Sequence, residues 1–378
     1  MNNNGWSEFW WNNITGAHLV IKKIVEALTE NNIVIIDIPI DLPWRHQMRS
    51  TAEDEFRKLS GISDTIIEVI DATDDIPSGI APGKFLLDHF APNKEVRNGY
   101  RERSQRSIQE YIQENNVLKN RIVWIKGMIN SQVSNWLSFC RDYNCENVEK
   151  GLFVLEIQGG VHKQDNNNMR YIRLLDCISN YDFQLFSSFI VEEKSSLSNA
   201  WKRYLSTASA IICDIDAEIA SQLLEKINPK NQSPIDIIAE MASCEEYSIR
   251  GADDKSSHIF THYRNNNIKE IEQRLWKAQV QVLFPLIEME RIKIIESYFS
   301  ELQSTIEQKH VEQFGEKITK PVQLELGTLC YIMNRYSCIR DKEARERISF
   351  LHKCRNHLAH AHCCSTSEVC ELLDYRFM

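Results

Sequence analysis

Arg355-Asn356-His357-Leu358-Ala359-His360 places a permanent cation and titratable imidazoles in one short segment. Arg keeps its charge at any physiological pH, and its planar fork can hold two phosphate oxygens, whereas His exchanges a proton near neutrality. That pairing suits phosphodiester chemistry, in which an RNA 2'-hydroxyl must lose a proton while charge on the phosphate is stabilised.

Spacing sets a condition on this chemistry. Five residues at about 100° each put Arg355 and His360 roughly 140° apart on an ideal helix, so they share a face only if the helix starts, kinks or ends between them. His362, seven residues on, falls close to the face of Arg355. His357 and His362 therefore stand as rival imidazoles. A surface helix rich in Arg and His also serves as a solvated face or a capped helix end, and this bland reading stays open beside the catalytic one.

Arg-Asn-x-x-x-His at the end of a helical region resembles the signature of the HEPN superfamily, an Arg followed after four to six residues by a His. Upstream, Leu275-Trp276-Lys277-Ala278-Gln279, Leu283-Phe284-Pro285-Leu286-Ile287-Glu288 and Leu324-Glu325-Leu326-Gly327-Thr328-Leu329 resemble HEPN-type helices of large prokaryotic defence and stress proteins. The resemblance covers about the last hundred residues. It implies a helical bundle that dimerises through its motif helices and joins two Arg/His sets into one metal-independent endoribonuclease site. Arg355 would then bind the scissile phosphate, His360 would act as general base or acid, and Asn356 would orient. Family members governed by a nucleotidyltransferase partner carry Tyr two residues after the His. Here that position is His362, which argues against that mode of control.

A net charge of −9 and a pI near 5.7 exclude a general nucleic-acid coat protein, which needs a dominant basic surface. A local site is still open to RNA. From Arg340 to His362, six cations (Arg340, Lys342, Arg345, Arg347, Lys353, Arg355) face three acids (Asp341, Glu343, Glu346), a window of +3.

Eleven cysteines, an odd number, read as reduced thiols rather than a disulfide framework. Cys330, Cys338, Cys354, Cys363, Cys364 and Cys370, with His352, His357, His360 and His362, raise the question of a metal. No Cys-x2-Cys pair is present and Cys363 and Cys364 are adjacent, so helix packing is the expected role, with no metal and no cofactor.

The elements that must carry the motif follow from hydrophobic periodicity. Alternating apolar runs and amphipathic stretches predict an α/β N-terminal domain with a mostly parallel sheet. Its strands are expected at Ile33–Ile38, Thr65–Ile70, Arg121–Ile125, Leu152–Ile157 and Tyr171–Leu175, with helices at Ala17–Val25 and Ser104–Asn115. This arrangement resembles the core of a P-loop NTPase. The nucleotide chemistry is missing, however. Pro39-Ile40-Asp41-Leu42-Pro43-Trp44-Arg45 follows the first strand where Gly-x4-Gly-Lys-Ser/Thr would stand, and Gly79 to Phe85 is one residue short between glycines. No strand ends in paired acids for magnesium, Leu152 to Gly159 holding only Glu156. The chain is therefore expected not to be an ATPase. Arg45, His46 and Arg49 at the next helix start are candidates to meet an anion or to form a solvated first turn.

From about residue 180 the pattern turns helical, with breaks at Glu192–Ser198, Asn228–Pro234 and Gly251–Ser257 between amphipathic segments such as Ala208–Leu224 and Pro234–Ala242. A long helix is expected from Ile268 toward His310, kinked or broken at Pro285. The fold class expected is thus an α/β domain followed by an all-α, HEPN-like helical bundle. Its divisions are a degenerate NTPase-like domain over 1–180, a helical linker domain over 181–265 and a HEPN-like domain over 266–378. No apolar run reaches membrane-span length and the N-terminus lacks signal-peptide features, so a cytoplasmic protein is expected. Two functions compete. One is a metal-independent endoribonuclease acting on RNA as a homodimer, under a protein partner in a prokaryotic defence or stress system. The other is a non-catalytic adaptor whose pseudo-NTPase and HEPN-like domains are both interaction modules.

Overall fold

The structure is a computed structural model that describes residues 3–60, 64–101, 105–143, 150–159, 168–252 and 257–375. Two compact units divide the chain, Met1–Asp182 and Phe183–Met378.

In the first unit, β1 (Ile33–Asp37), β2 (Ile66–Asp71), β3 (Arg121–Lys126), β4 (Leu152–Ile157) and β5 (Met169–Arg173) form one sheet. Its order is β2-β3-β4-β1-β5 and every pairing is parallel. Central β1 and β4 are buried throughout, which is why their sequences are continuous apolar runs rather than alternating ones. The expected strands are all present. The last is displaced, because Leu174 enters a 3-10 turn instead of extending the strand.

The helices of this unit are α1 (Asn3–Asn13), α2 (Thr15–Thr29), α3 (Arg45–Ser60), α4 (Pro82–Phe90), α5 (Lys94–Gly99), α6 (Ile108–Glu114) and α7 (Asn130–Arg141). Helix α6 is shorter than Ser104–Asn115, because the reciprocal Ser107/Glu110 capping box fixes its start; Ser104 lies outside the described residues. Helix α1 was hidden by its Asn-rich composition. Trp6, Trp10 and Trp11 are nonetheless all buried; the spacing of four sets Trp6 and Trp10 on one face, and Trp11 is buried about 100° further round the helix.

Helix α8 (Asn180–Glu192) contains the division between the units. The second unit continues with α9 (Asn199–Cys213), α10 (Ala217–Lys226), α11 (Pro234–Ala242), α12 (Ile259–Arg264), α13 (Ile268–Ser297), α14 (Phe299–Lys309), α15 (Leu326–Tyr336), α16 (Lys342–Ala359) and α17 (Thr366–Asp374). Segments 181–265 and 266–378 fall in this same unit apart from its first residues, and α9 and α16 both pack on α13.

Two sequence expectations are corrected. Ala208–Leu224 is not one helix: Asp214 turns at φ 52°, and the Asp216 carboxylate accepts from the N–H groups of Glu218 and Ile219 to start α10. Pro285 does not break α13, which runs 30 residues through it and ends at Tyr298. A proline costs a helix interior about 3 kcal/mol. Burial of Ala278, Val282, Leu283 and Ile287 around it supplies the offsetting packing. Absent from the sequence reading is a small hairpin, β6 (Glu312–Gln313) with β7 (Glu316–Lys317), turned by Phe314 and Gly315 at φ 54° and 80°. Among the described residues, no helix is long and apolar enough to cross a membrane.

Candidate functional site

Helix α16 carries the motif and stops inside it. The Asp341 carboxylate accepts from Glu343 N–H at the start, and Ala359 is the last helical residue. His362 N–H then donates to His357 O at 2.8 Å and Ala361 N–H to Leu358 O at 3.4 Å, the paired bonds of a Schellman motif. The helix thus ends between Arg355 and His360, the condition that spacing set.

Helix α13 holds this terminus. Trp276 Nε1 donates to Leu358 O at 2.7 Å, adding a shorter second bond to the carbonyl that already accepts from Ala361 N–H in the closing turn. Gln279 grips the main chain of Cys364 from both sides, donating Nε2 to its carbonyl at 3.0 Å and accepting its N–H at 2.7 Å. Leu275–Gln279, one of the three upstream segments, therefore positions the motif physically. The Leu324–Leu329 segment does so too: Glu325 meets Arg355, and Gly327 lies against His352, where an added Cβ would stand 3.5 Å from Nε2.

Ala361 occupies the left-handed position, at φ 59°, where Gly is the unstrained choice. It is also exposed. Ala361→Gly is expected to stabilise the protein by about 1 kcal/mol, seen as a higher denaturant midpoint. An unchanged or lower midpoint would show that the turn does not carry this strain.

Of the predicted site residues, Arg355 is about one-third exposed, and its Nη2 stands 3.6 Å from Glu325 Oε2, a loose and partly solvated pair. Asn356 Nδ2 lies 3.1 Å from His352 Nε2. His360 is exposed, and its imidazole makes no hydrogen bond or ion pair among the described residues. No direct bond joins the Arg355, Asn356 and His360 side chains within one chain. Asn356, expected to orient the site, is engaged by His352 instead. His352 was missed as a candidate base, although helical spacing gives the signal: residues 352, 355 and 356 fall within about 100° of one face.

The +3 window is partly neutralised from other elements. Arg347 pairs with Glu290 at 2.6 and 2.8 Å, and Lys353 with Glu368 at 2.8 Å, while exposed Arg340 and Arg345 make no ion pair among the described residues.

Several thiols are indeed in the core, Cys354 and Cys364 being buried. The Cys354 thiol beside it and burial both push the Cys364 thiol up. Burial alone would raise the Glu368 carboxyl, but Lys353 and the Ser365 N–H and hydroxyl hold it below its ordinary value. His357, Cys364 and Glu368 each turn one ligand atom into a common space, all within 4.8 Å of one another. The sequence reading weighed His357 and Cys364 for a metal and set it aside on cysteine spacing, without Glu368; the set takes one residue each from α16, the following turn and α17.

In the first unit, a ligand of an open parallel sheet would lie beyond the carboxyl ends of the strands, where β1 is flanked by β4 and β5. Groups there are paired with one another. The Arg45 guanidinium donates to the carbonyls of Pro39 and Ile40, at 3.1 and 2.5 Å, and so fills the loop after β1. Arg49 and Trp124 both donate to Glu156 Oε1, at 2.9 and 2.7 Å. Of the three residues singled out at this helix start, Arg45 and Arg49 are engaged by these partners and His46 is exposed. Tyr171 donates to Asp37, and Lys126 to Asp71. Lys84 pairs with Asp88 one helical turn on, at 3.0 Å. No protein-family model, curated protein or solved structure matches this chain.

Proposed function

We propose that the second unit is an endoribonuclease of HEPN type whose chemistry needs no metal, acting as a dimer and restrained by a protein partner in a prokaryotic defence or stress system. The observation that carries this reading is the pairing of a half-buried Arg355, loosely held at 3.6 Å by one carboxylate, with an exposed and unengaged His360 just past the helix end. An incoming phosphate competes well with so weak a partner. In the reaction, an imidazole takes the 2'-hydroxyl proton, the oxygen attacks the adjacent phosphorus, and the 5'-oxygen leaves with a proton returned by a second acid. Arg355 stabilises the charge that gathers on the phosphate oxygens. Two copies supply the base and the acid together.

The test is incubation of full-length protein with structured and unstructured RNA in buffer without added divalent metal, beside an Arg355→Ala/His360→Ala control. Cleavage by the native protein alone is expected. Cleavage that survives in the control, or that requires added magnesium or manganese, would overturn the reading.

Self-association through the C-terminal helices belongs to the same proposal. Met289, Ile292 and Phe299 remain exposed along α13 and the start of α14, an apolar row suited to a second copy. Light scattering at micromolar concentration is expected to give twice the 44.1 kDa chain mass. A strictly monomeric mass would count against the composite site.

An adaptor is the second reading, favoured by one observation: Arg45 and two prolines close the loop after β1, leaving that loop no backbone cradle for phosphate. On that reading the first unit binds a partner protein.

A further inference from the structure

His357, Cys364 and Glu368 combine a nitrogen, a sulfur and an oxygen ligand, the donor set of a borderline-soft first-row cation rather than of magnesium or calcium. The two ligands contributed by the turn and α17 are 4% and 7% exposed, so water competes little for them. His357 Nδ1 is itself buried and has no hydrogen-bond partner. It points at Glu368 Oε2 from 3.6 Å. That is too long for a charge-assisted hydrogen bond. A neutral ring with its lone pair toward a carboxylate would be repelled. Two ligands sharing a tetrahedral zinc, each about 2.0–2.2 Å from the ion, stand about 3.4 Å apart.

The three donors are preorganised. Gln279 fixes the main chain of Cys364 from both sides. The Glu368 rotamer is held by the capping box, Oε2 accepting from Ser365 N–H at 2.8 Å, and by Lys353 on Oε1. The Ser365 hydroxyl, 3.1 Å from Oε2, stands equally near Ser367 Oγ and can turn to it, freeing a carboxylate lone pair for an ion.

We propose that His357 Nδ1, Cys364 Sγ and Glu368 Oε2 form a zinc site, with a fourth position for water beside the half-exposed His357 ring, that clips the turn after α16 to the first turn of α17. Coordination uses the sulfur lone pair and releases the thiol proton to solvent, with no change of oxidation state. The ion's role is to hold the turn that carries His360. The proposal does not rest on the ribonuclease reading, and its test uses no RNA.

Full-length protein, stripped of metal and desalted, is titrated with cobalt(II) and then with zinc against a metallochromic chelator. One cobalt per chain is expected, with the visible bands of a tetrahedral ion and a thiolate charge-transfer band in the near ultraviolet, both displaced by one equivalent of zinc. Cys364→Ser should abolish the charge-transfer band. Glu368→Gln keeps the capping acceptor, and with it the fold, but removes the anionic ligand. It should weaken zinc binding by more than the 10–100-fold typical of losing an outer-shell partner, as should His357→Gln. Cys363→Ser, whose thiol contacts Glu272 O instead, should bind normally. No stoichiometric binding, a charge-transfer band that persists in Cys364→Ser, or full affinity in folded Glu368→Gln would overturn the site.

Discussion

Arg355→Ala is expected to lower RNA cleavage by about 10²–10³-fold, the usual loss when one donor to a developing anion is removed. His360→Ala is expected to lower it by about 10²–10⁴-fold, the contribution of a positioned acid or base. Single-turnover rates on one labelled RNA, with gel filtration and circular dichroism to show native assembly, measure both. Arg355→Lys should recover only part of the rate, because an ammonium offers a point charge in place of the fork. The rival imidazoles are separated in the same series. His362 is exposed past the helix end, and His362→Ala should act weakly. His352 touches Asn356, so loss of activity in His352→Ala with retention in His360→Ala would move the base to the helical face that sequence spacing overlooked. Full activity in Arg355→Ala would leave the segment a structural helix end and hand the case to the adaptor.

Arg347→Ala is expected to destabilise the second unit by roughly 3–5 kcal/mol, because it strands a carboxylate in the core. The Arg347 side chain is 4% exposed and holds Glu290, 13% exposed, through two parallel bonds, with the Tyr375 ring 3.7 Å from its guanidinium carbon. Chemical denaturation should show the loss. The double variant Arg347→Met/Glu290→Leu should recover most of it, since an apolar pair of similar volume avoids the desolvation of two charges. Equal instability in the single and double variants would mean that packing, rather than the stranded charge, sets the cost.

What the sequence disclosed depended on the range of the interactions involved. Strands such as Leu152–Ile157 were legible because burial on both faces writes a continuous apolar run, as it also does in β1 and most of β3, and such runs with intervening helices imply a parallel sheet. Helix α1 was not, since its three buried tryptophans were masked by surrounding asparagines. At Pro285 a local rule predicts a kink or a break, and the break is absent because long-range packing on α9 and α16 holds the helix together. The Arg-Asn-x-x-x-His segment was legible as chemistry because its residues are contiguous. The partners that decide its geometry were not: Gln279 reaches Cys364 across 85 positions and Trp276 reaches Leu358 across 82. The convergence of His357, Cys364 and Glu368 escaped because His357 and the cysteines were weighed by cysteine spacing, with no carboxylate beside them.

The two-sided grip of Gln279 on Cys364 has a consequence for the order in which the protein becomes competent. During synthesis from the N-terminus, α13 emerges before Cys364 with its gripping amide idle, and the last turn of α16 is unanchored until Cys364 follows. Only when Cys364 has left the ribosome can the turn after His360 lock, so any activity carried by Arg355 and His360 is withheld from incomplete chains. The same bonds make that turn hard to open alone: its main-chain amides should exchange with solvent only when α13 and the end of α16 part together, as one cooperative unit.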